Sequence, residues 1–175
     1  MPPRTQDEST IWTRQFFGYI GIGLVVAAIA AGIFLFATRK AHLELEGRIQ
    51  KVRIQATDDN SSVAVLDFHI ANPSGQQFVV KQVDVIYVDK DNSQLEGMVA
   101  ADADAKRFLD YYTTLGPKYN PALLVRDKIE PGQGMDRMEM ASFPLPESRL
   151  AGRKNLILRI TDVDGAVSEL TERPR

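Results

Sequence analysis

The chain has no cysteine, only two histidines and a single tryptophan in its 175 residues. Without cysteine there is no disulfide, no thiolate metal site and no sulfur nucleophile. Two histidines, His42 and His69, cannot by themselves build a histidine-rich metal centre. No G-x-S-x-G is present, so no nucleophile elbow is signalled. Gly21-Ile22-Gly23, a glycine pair with phosphate-loop spacing, lies inside an apolar run with no strand before it. A dominant charge sign is missing too: 21 Lys+Arg stand against 23 Asp+Glu, interspersed, which argues against a nucleic-acid or charge-driven partner. The most local absence is of charge altogether, from Gln15 to Thr38.

That uncharged stretch is the strongest positive signal. Its heart, Phe16 to Ala37, reads FFGYIGIGLVVAAIAAGIFLFA. As a helix it would extend roughly 33 Å, enough to cross a hydrocarbon core of about 30 Å. It is longer than a secretory h-region, and it leaves through Phe34-Leu35-Phe36-Ala37-Thr38-Arg39-Lys40, bulky and then basic, without a small-x-small cleavage site. The expected organisation is a disordered polar tail at 1–14, a transmembrane helix at 15–38 and one soluble domain at 39–175. Trp12 and Tyr19 suit the interfacial end of such a span. Gly23, Ala27 and Ala31 recur every four residues, a spacing that lets two helices approach and form a homo-oligomer. Arg39 and Lys40 would keep the domain cytoplasmic by the positive-inside rule, but domains of this length translocate largely regardless of charge. The domain is expected on the extracytoplasmic face, with the cytoplasmic face as the alternative.

From His42 the apolar period becomes two. Leu43, Leu45 and Gly47 share one parity, whereas Val52, Ile54 and Ala56 take the other, so a bulge is expected near Ile49–Lys51. Strands are predicted over Ser62–Ala71, Phe78–Val88, Gln94–Val99, Ala122–Ile129, Met135–Phe143, Asn155–Thr161 and Ala166–Leu170, separated by Asp-, Asn-, Gly- and Pro-rich turns. Ser62–Ala71 is apolar on both parities at its start, as in a central strand. Asp102–Leu115 breaks the rhythm: Ala105, Phe108, Leu109 and Tyr112 follow i, i+3, i+4, i+7, so an amphipathic helix is inserted there. Asp102 or Asp104 is the expected cap, and Gly116-Pro117 the stop. The fold class is therefore mainly β, an antiparallel sandwich with one helical insert.

Three segments carry a family likeness. They are Leu66-Asp67-Phe68-His69-Ile70-Ala71-Asn72-Pro73-Ser74, then Ile129-Glu130-Pro131-Gly132-Gln133-Gly134 leading to Phe143, and the hairpin Leu156–Leu170 around Asp164-Gly165. In these the chain resembles bacterial membrane-anchored immunoglobulin-like sandwich domains of the telokin-like and late-embryogenesis-abundant (WHy) types. The resemblance covers about a quarter of the chain. It implies an immunoglobulin-like sandwich with an accessory or binding role, and it carries over no catalytic residue.

Candidate chemistry is sparse. Asp67 and His69 share a strand face, and the bland reading of that pair is a polar surface patch. Asp89-x-Asp91-x-Ser93 and Asp162-x-Asp164-Gly165 begin like calcium loops, yet the twelfth positions are Ala100 and Arg173 instead of Glu. No catalytic, metal or cofactor-binding set is expected, and the protein is not expected to be an enzyme. Insertions on a rigid scaffold often carry binding. On the insert, Phe108 and Tyr112 are expected to point inward, leaving Lys106, Arg107, Asp110, Tyr111 and Tyr119 for a protein partner. The expected function is a single-pass, non-catalytic interaction or accessory module in an envelope assembly. The alternative is a small-ligand or lipid-contacting domain using a groove between the insert helix and the sandwich.

Overall fold

The β rhythm that begins after His42 becomes eight strands among the residues that the computed structural model describes, 19–33 and 44–172. Two compact units divide the chain, Met1–Ala41 and His42–Arg175.

In the first unit, residues 19–33 form a helix, α1, and every one of them is exposed, Leu24 and Ile33 at 67% and 66%. Its fifteen residues extend about 22 Å. Among the described residues no helix is long and apolar enough to cross a membrane. The remainder of the span expected at 15–38, and the tail at 1–14, lie outside the described residues.

In the second unit the elements run β1 (Glu46–Asp58), β2 (Ser61–Ala71), β3 (Phe78–Val88), β4 (Gln94–Val99), α2 (Asp102–Tyr111), β5 (Lys128–Ile129), β6 (Gly134–Phe143), α3 (Glu147–Ala151), β7 (Asn155–Asp162) and β8 (Val167–Thr171). Neighbours pair antiparallel in the order β1-β2-β6-β4-β3-β7-β8, with β5 added beside the start of β3. One half of the sheet, β1-β2-β6, passes into the other, β3-β7-β8, through β4. Gln94–Gly97 pair with β3, and Met98 and Val99 pair with β6. Gly97 sits at that hand-over because a Cβ there would stand 2.6 Å from the Phe143 ring. The curl brings the two ends of the sheet together, where the Leu45 N–H donates to Ser168 Oγ at 2.7 Å. Edge strand β1 carries Arg48 and Lys51 and a register shift between Ile49 and Lys51, at the place the parity change marks. Cations and a bulge both discourage a further strand from adding there.

The core lies inside the curl. Leu66, Phe68 and Ile70 of β2 meet Phe78, Val80, Val85 and Tyr87 of β3, Phe143 of β6 and Leu156, Leu158 and Ile160 of β7. Strand β2 is apolar on its other face as well, since Val63 and Val65 lie with Met138 and Met140 of β6 beneath Ala105 and Leu109 of α2 and Leu115. That second layer explains the unbroken apolar start of β2: a helix covers the face that a two-layer sheet would leave to water.

Two expectations are corrected. The predicted strand Ala122–Ile129 shrinks to Lys128–Ile129. Its first half is a crossing segment that bonds to β6 through Leu123 N–H to Met138 O and then to β3 through Arg126 N–H to Val80 O. A segment that leaves one strand for another cannot ladder along either. Neither Asp102 nor Asp104 caps α2, whose N-cap is Ala101 with no side-chain bond. The helix also stops at Tyr111. Tyr112 leaves the helical region, Thr113–Leu115 add one 3-10 turn, and Gly116 at φ 79° ends it.

Candidate interaction surface

Helix α2 is held by its apolar side. Ala105 and Leu109 are buried against β2 and β6, and Phe108 and Tyr112 pack half-buried beside them, their rings 4.5 Å apart. The inward placement of those two aromatics is as their spacing implied. The helix lies directly on the sheet, its apolar face packed against Val63, Val65, Met138 and Met140.

The opposite side of α2 presents Lys106, Arg107, Asp110 and Tyr111, all exposed, Tyr111 at 79%. Spacings of three and four put them on one face. Arg107 lies 3.6 Å from Asp104, one turn back, and Tyr111 meets Tyr112 edge-on at 4.8 Å. Tyr119 is held apart from this group. Its ring lies over the Arg53 guanidinium at 5.1 Å, with Lys51 at 5.3 Å, and its hydroxyl approaches Gly116.

Beneath the insert lies a polar layer that periodicity did not reveal. Arg53 of β1 and Asp67 of β2, both buried, form a 2.8 Å ion pair. The other end of the guanidinium donates to the carbonyls of Leu115 at 2.9 Å and Pro117 at 3.1 Å, while Asn120 donates to Asp67. One cation thus ties two strands to the exit of the insert. Asp102 pairs with Lys118 and also accepts the Ala122 N–H, which pins the start of α2 to the same exit loop and holds its carboxyl below the usual range, mainly through the lysine. Glu139, opposite Leu66 on the core face of β6, is 2% exposed and accepts the Leu123 N–H at 3.2 Å. Burial pushes its carboxyl up to about 8, with the nearby Asp102 adding to the rise and Lys118 opposing it.

The Asp67–His69 pairing does not form. Asp67 is buried against Arg53, whereas His69 reaches outward to Asp136 at 2.8 Å. Arg48 stands opposite His69 and Lys51 opposite Asp67, so β1 supplies the cations of that face. In the two calcium-like loops the oxygens serve the turns. Asp162 accepts the N–H groups of Val79 and Asp164, and Asp89 pairs with Arg149 at 2.7 Å. Among the described residues no cluster of three or more His, Asp or Glu side chains is placed to hold a metal. Gly23, Ala27 and Ala31 fall within α1, exposed.

The polar layer had a faint sequence signal. Asp67 interrupts the apolar outer parity of β2 after Val63 and Val65, and Glu139 lies between Met138 and Met140. A charge inside an apolar strand must be paired, neutral or functional.

No protein-family signature matches the chain, and no curated protein does. Solved structures similar to it include the following three. The archaellum periplasmic stator protein FlaG from Sulfolobus acidocaldarius is 11% identical, with 73% of this chain and 98% of that one covered at a TM-score of 0.35. The complex of FlaF and FlaG from the same organism is 10% identical over 73% and 87%, at 0.33. An uncharacterized β-sandwich protein from Clostridium difficile 630 is 12% identical over 74% and 86%, at 0.34. At these identities and scores none of the three carries an argument about what this chain does.

Proposed function

We propose that the protein is a single-pass, membrane-anchored, non-catalytic interaction module. Its immunoglobulin-like sheet domain would present the outer face of α2 to a protein partner in the cell envelope, on the extracytoplasmic side. The anchor rests on the uncharged run Phe16–Ala37, of which the helical residues 19–33 expose every apolar side chain. The observation that carries the binding role is the contrast between the two sides of the insert. Its inner side is fastened by a buried ion pair and an apolar layer, while its outer side offers Lys106, Arg107, Asp110 and Tyr111 to solvent. A rigidly held exposed tyrosine flanked by charges of both signs is what protein interfaces use at their centres, because the ring contributes area at small entropic cost.

The experiment is purification of the full-length protein after mild detergent extraction, as wild type and as Tyr111→Ser with Arg107→Glu. The reading expects a stoichiometric protein partner with the wild type and its loss from the double variant. Equal recovery of the partner would remove α2 as the contact. Recovery of bound lipid with no protein would favour the lipid-contacting alternative.

A further inference from the structure

The curled sheet has a gap that one segment closes. Strand β4 serves only the far halves of its neighbours: it pairs with Val85–Val88 of β3 and with Ala141 and Ser142 of β6, and the Ala100 N–H then reaches Met140 O. Among the described residues no strand bridges the near halves of β3 and β6, and the chain crosses between them at 121–127 instead. At the β3 end this crossing is well tied. Arg126 N–H donates to Val80 O at 2.7 Å, Val80 N–H to Asp127 O at 2.9 Å, and the Asp127 carboxylate accepts the Leu124 N–H at 3.0 Å. At the other end of the loop Arg53 holds Pro117 O.

Between those two ties, residues 118–124 lie against the edge of β6 on longer bonds. Met138 N–H donates to Pro121 O at 3.0 Å, but Leu123 N–H is shared between Met138 O at 3.3 Å and Glu139 Oε1 at 3.2 Å. Ala122 N–H reaches Asp102 Oδ1 at 3.3 Å. Two carboxyl groups, one from β6 and one from the start of α2, thus help to hold this stretch. Leu123 and Glu139 are both buried, so the carboxyl is sealed in while the stretch stays down.

No cation is free to balance Glu139 there. Lys118 is paired with Asp102. Arg137, on the same face of β6, gives Nη1 to Asp136 O, and Arg53 and Asp67 are paired with each other on the far face of β2. On the crossing itself Arg126 is exposed and Asp127 bonds Leu124. His69 faces Asp136 on the outer side. Burial therefore raises the Glu139 carboxyl to about 8, with Asp102 adding to the rise and Lys118 opposing it.

We propose that residues 118–124 form a strap that acid tightens, closed over β6 while Glu139 holds its proton and lifted as that proton passes to water. In the lifted state the carboxyl is solvated and titrates near its ordinary 4.5. Between that value and about 8 each lifting releases a proton, so lifting becomes about tenfold easier per pH unit and gains nothing further above about 8. Lifting bares the Met138 N–H and C=O on the edge of β6 and takes the Ala122 N–H away from Asp102. The hold on the start of α2 then weakens as pH rises from 5 to 8. What this does to a partner bound on α2 rests on the reading in the preceding subsection; the strap itself does not.

Hydrogen exchange of the full-length protein in mild detergent tests the strap. Peptides carrying the Ala122, Leu123 and Met138 N–H groups are followed by mass spectrometry at pH 5.5, 6.5 and 7.5. Their protection, corrected for the intrinsic rate at each pH, should fall about tenfold per unit. Peptides from β7 should be about a hundredfold better protected throughout, and 1 M urea should leave strap exchange unchanged, because lifting exposes little surface. Glu139→Gln should make strap protection independent of pH, whereas His69→Gln should keep the wild-type slope. Wild-type strap protection that ignores pH would overturn the proposal, as would a slope that survives Glu139→Gln or disappears with His69→Gln. So would strap and β7 peptides that exchange alike with the same urea dependence, since Glu139 would then meet water only when the whole domain unfolds; this comparison needs no variant. The expected slope with no partner recovered at any pH would support the strap and count against the partner reading.

Discussion

Glu139→Gln should change the pH dependence of stability more than any other single substitution in this domain. In the fold the carboxyl is 2% exposed, beside Asp102, and burial raises it to about 8 from an ordinary 4.5. Between those values the folded chain holds a proton that the unfolded chain has released. Stability therefore falls as pH rises across that window, by about 1.4 kcal/mol per unit, and is constant again above it. The whole span of about three and a half units corresponds to roughly 4–5 kcal/mol, a large part of a typical domain's stability. The aspartates held below their ordinary range, Asp89, Asp91, Asp102 and Asp136, act in the other window. Their contribution is present above about pH 4 and is lost as pH falls through their lowered values. Together the two groups place the stability maximum on the acid side, near pH 4–5.

Glutamine keeps a carbonyl for the Leu123 N–H and has no proton to lose. Urea unfolding of fragment 39–175 at pH 5, 7 and 9 tests this. The readout is circular dichroism, because the one tryptophan, Trp12, lies outside the fragment. With an m-value near 2 kcal/mol per molar, the wild-type midpoint should drop by about 2 M between pH 5 and pH 9. The Gln variant should be nearly flat and the more stable of the two at pH 9. A variant with the wild-type slope, or a wild type without one, would refute the reasoning.

Fragment 39–175 should itself be soluble without detergent, with a circular dichroism spectrum dominated by β signal; aggregation or a mainly helical spectrum would count against the architecture. Phe68→Ala, which empties a fully buried site between β2 and its neighbours, should cost about 3–5 kcal/mol in the same unfolding assay. Asp67→Ala should cost a similar 3–5 kcal/mol by leaving the Arg53 guanidinium buried and unpaired, while Arg53→Met with Asp67→Leu should recover most of it; a harmless Asp67→Ala would show that water reaches the pair. Tyr111→Ser should leave the midpoint unchanged, whereas Tyr119→Ser should lower stability by about 0.5–1 kcal/mol through loss of the ring over Arg53.

How far the sequence reveals this protein depends on how local the cause is. The bounds of β3 and β4, the bulge after Ile49 and the Asp162–Gly165 hairpin follow from alternation, parity and turn chemistry, which a few neighbouring residues determine. The crossing segment Ala122–Ile129 was misleading because an apolar run of that length reads alike whether it ladders or spans between strands. Its conformation is set by partners at Met138 and Val80, which are distant or unmarked in the sequence.

Asp67 shows the same limit at the candidate site. Read by parity it belongs with His69, two residues on, on a solvated face. The face is indeed shared, but its environment changes along its length: near Asp67 the exit of the insert closes over it, and near His69 it is open. Cross-strand pairing decides which case applies, because Arg53 arrives from β1 only after the bulge shifts the register by one residue. Without that extra residue the side chain of 53 would point into the core and Ile54 would face the insert. The bulge therefore positions the cation that pairs with Asp67 and holds the carbonyls of Leu115 and Pro117. The exposed face of α2 owes its fixed position to that register shift some sixty residues upstream, and Arg53 is the residue through which the sheet controls the proposed partner surface.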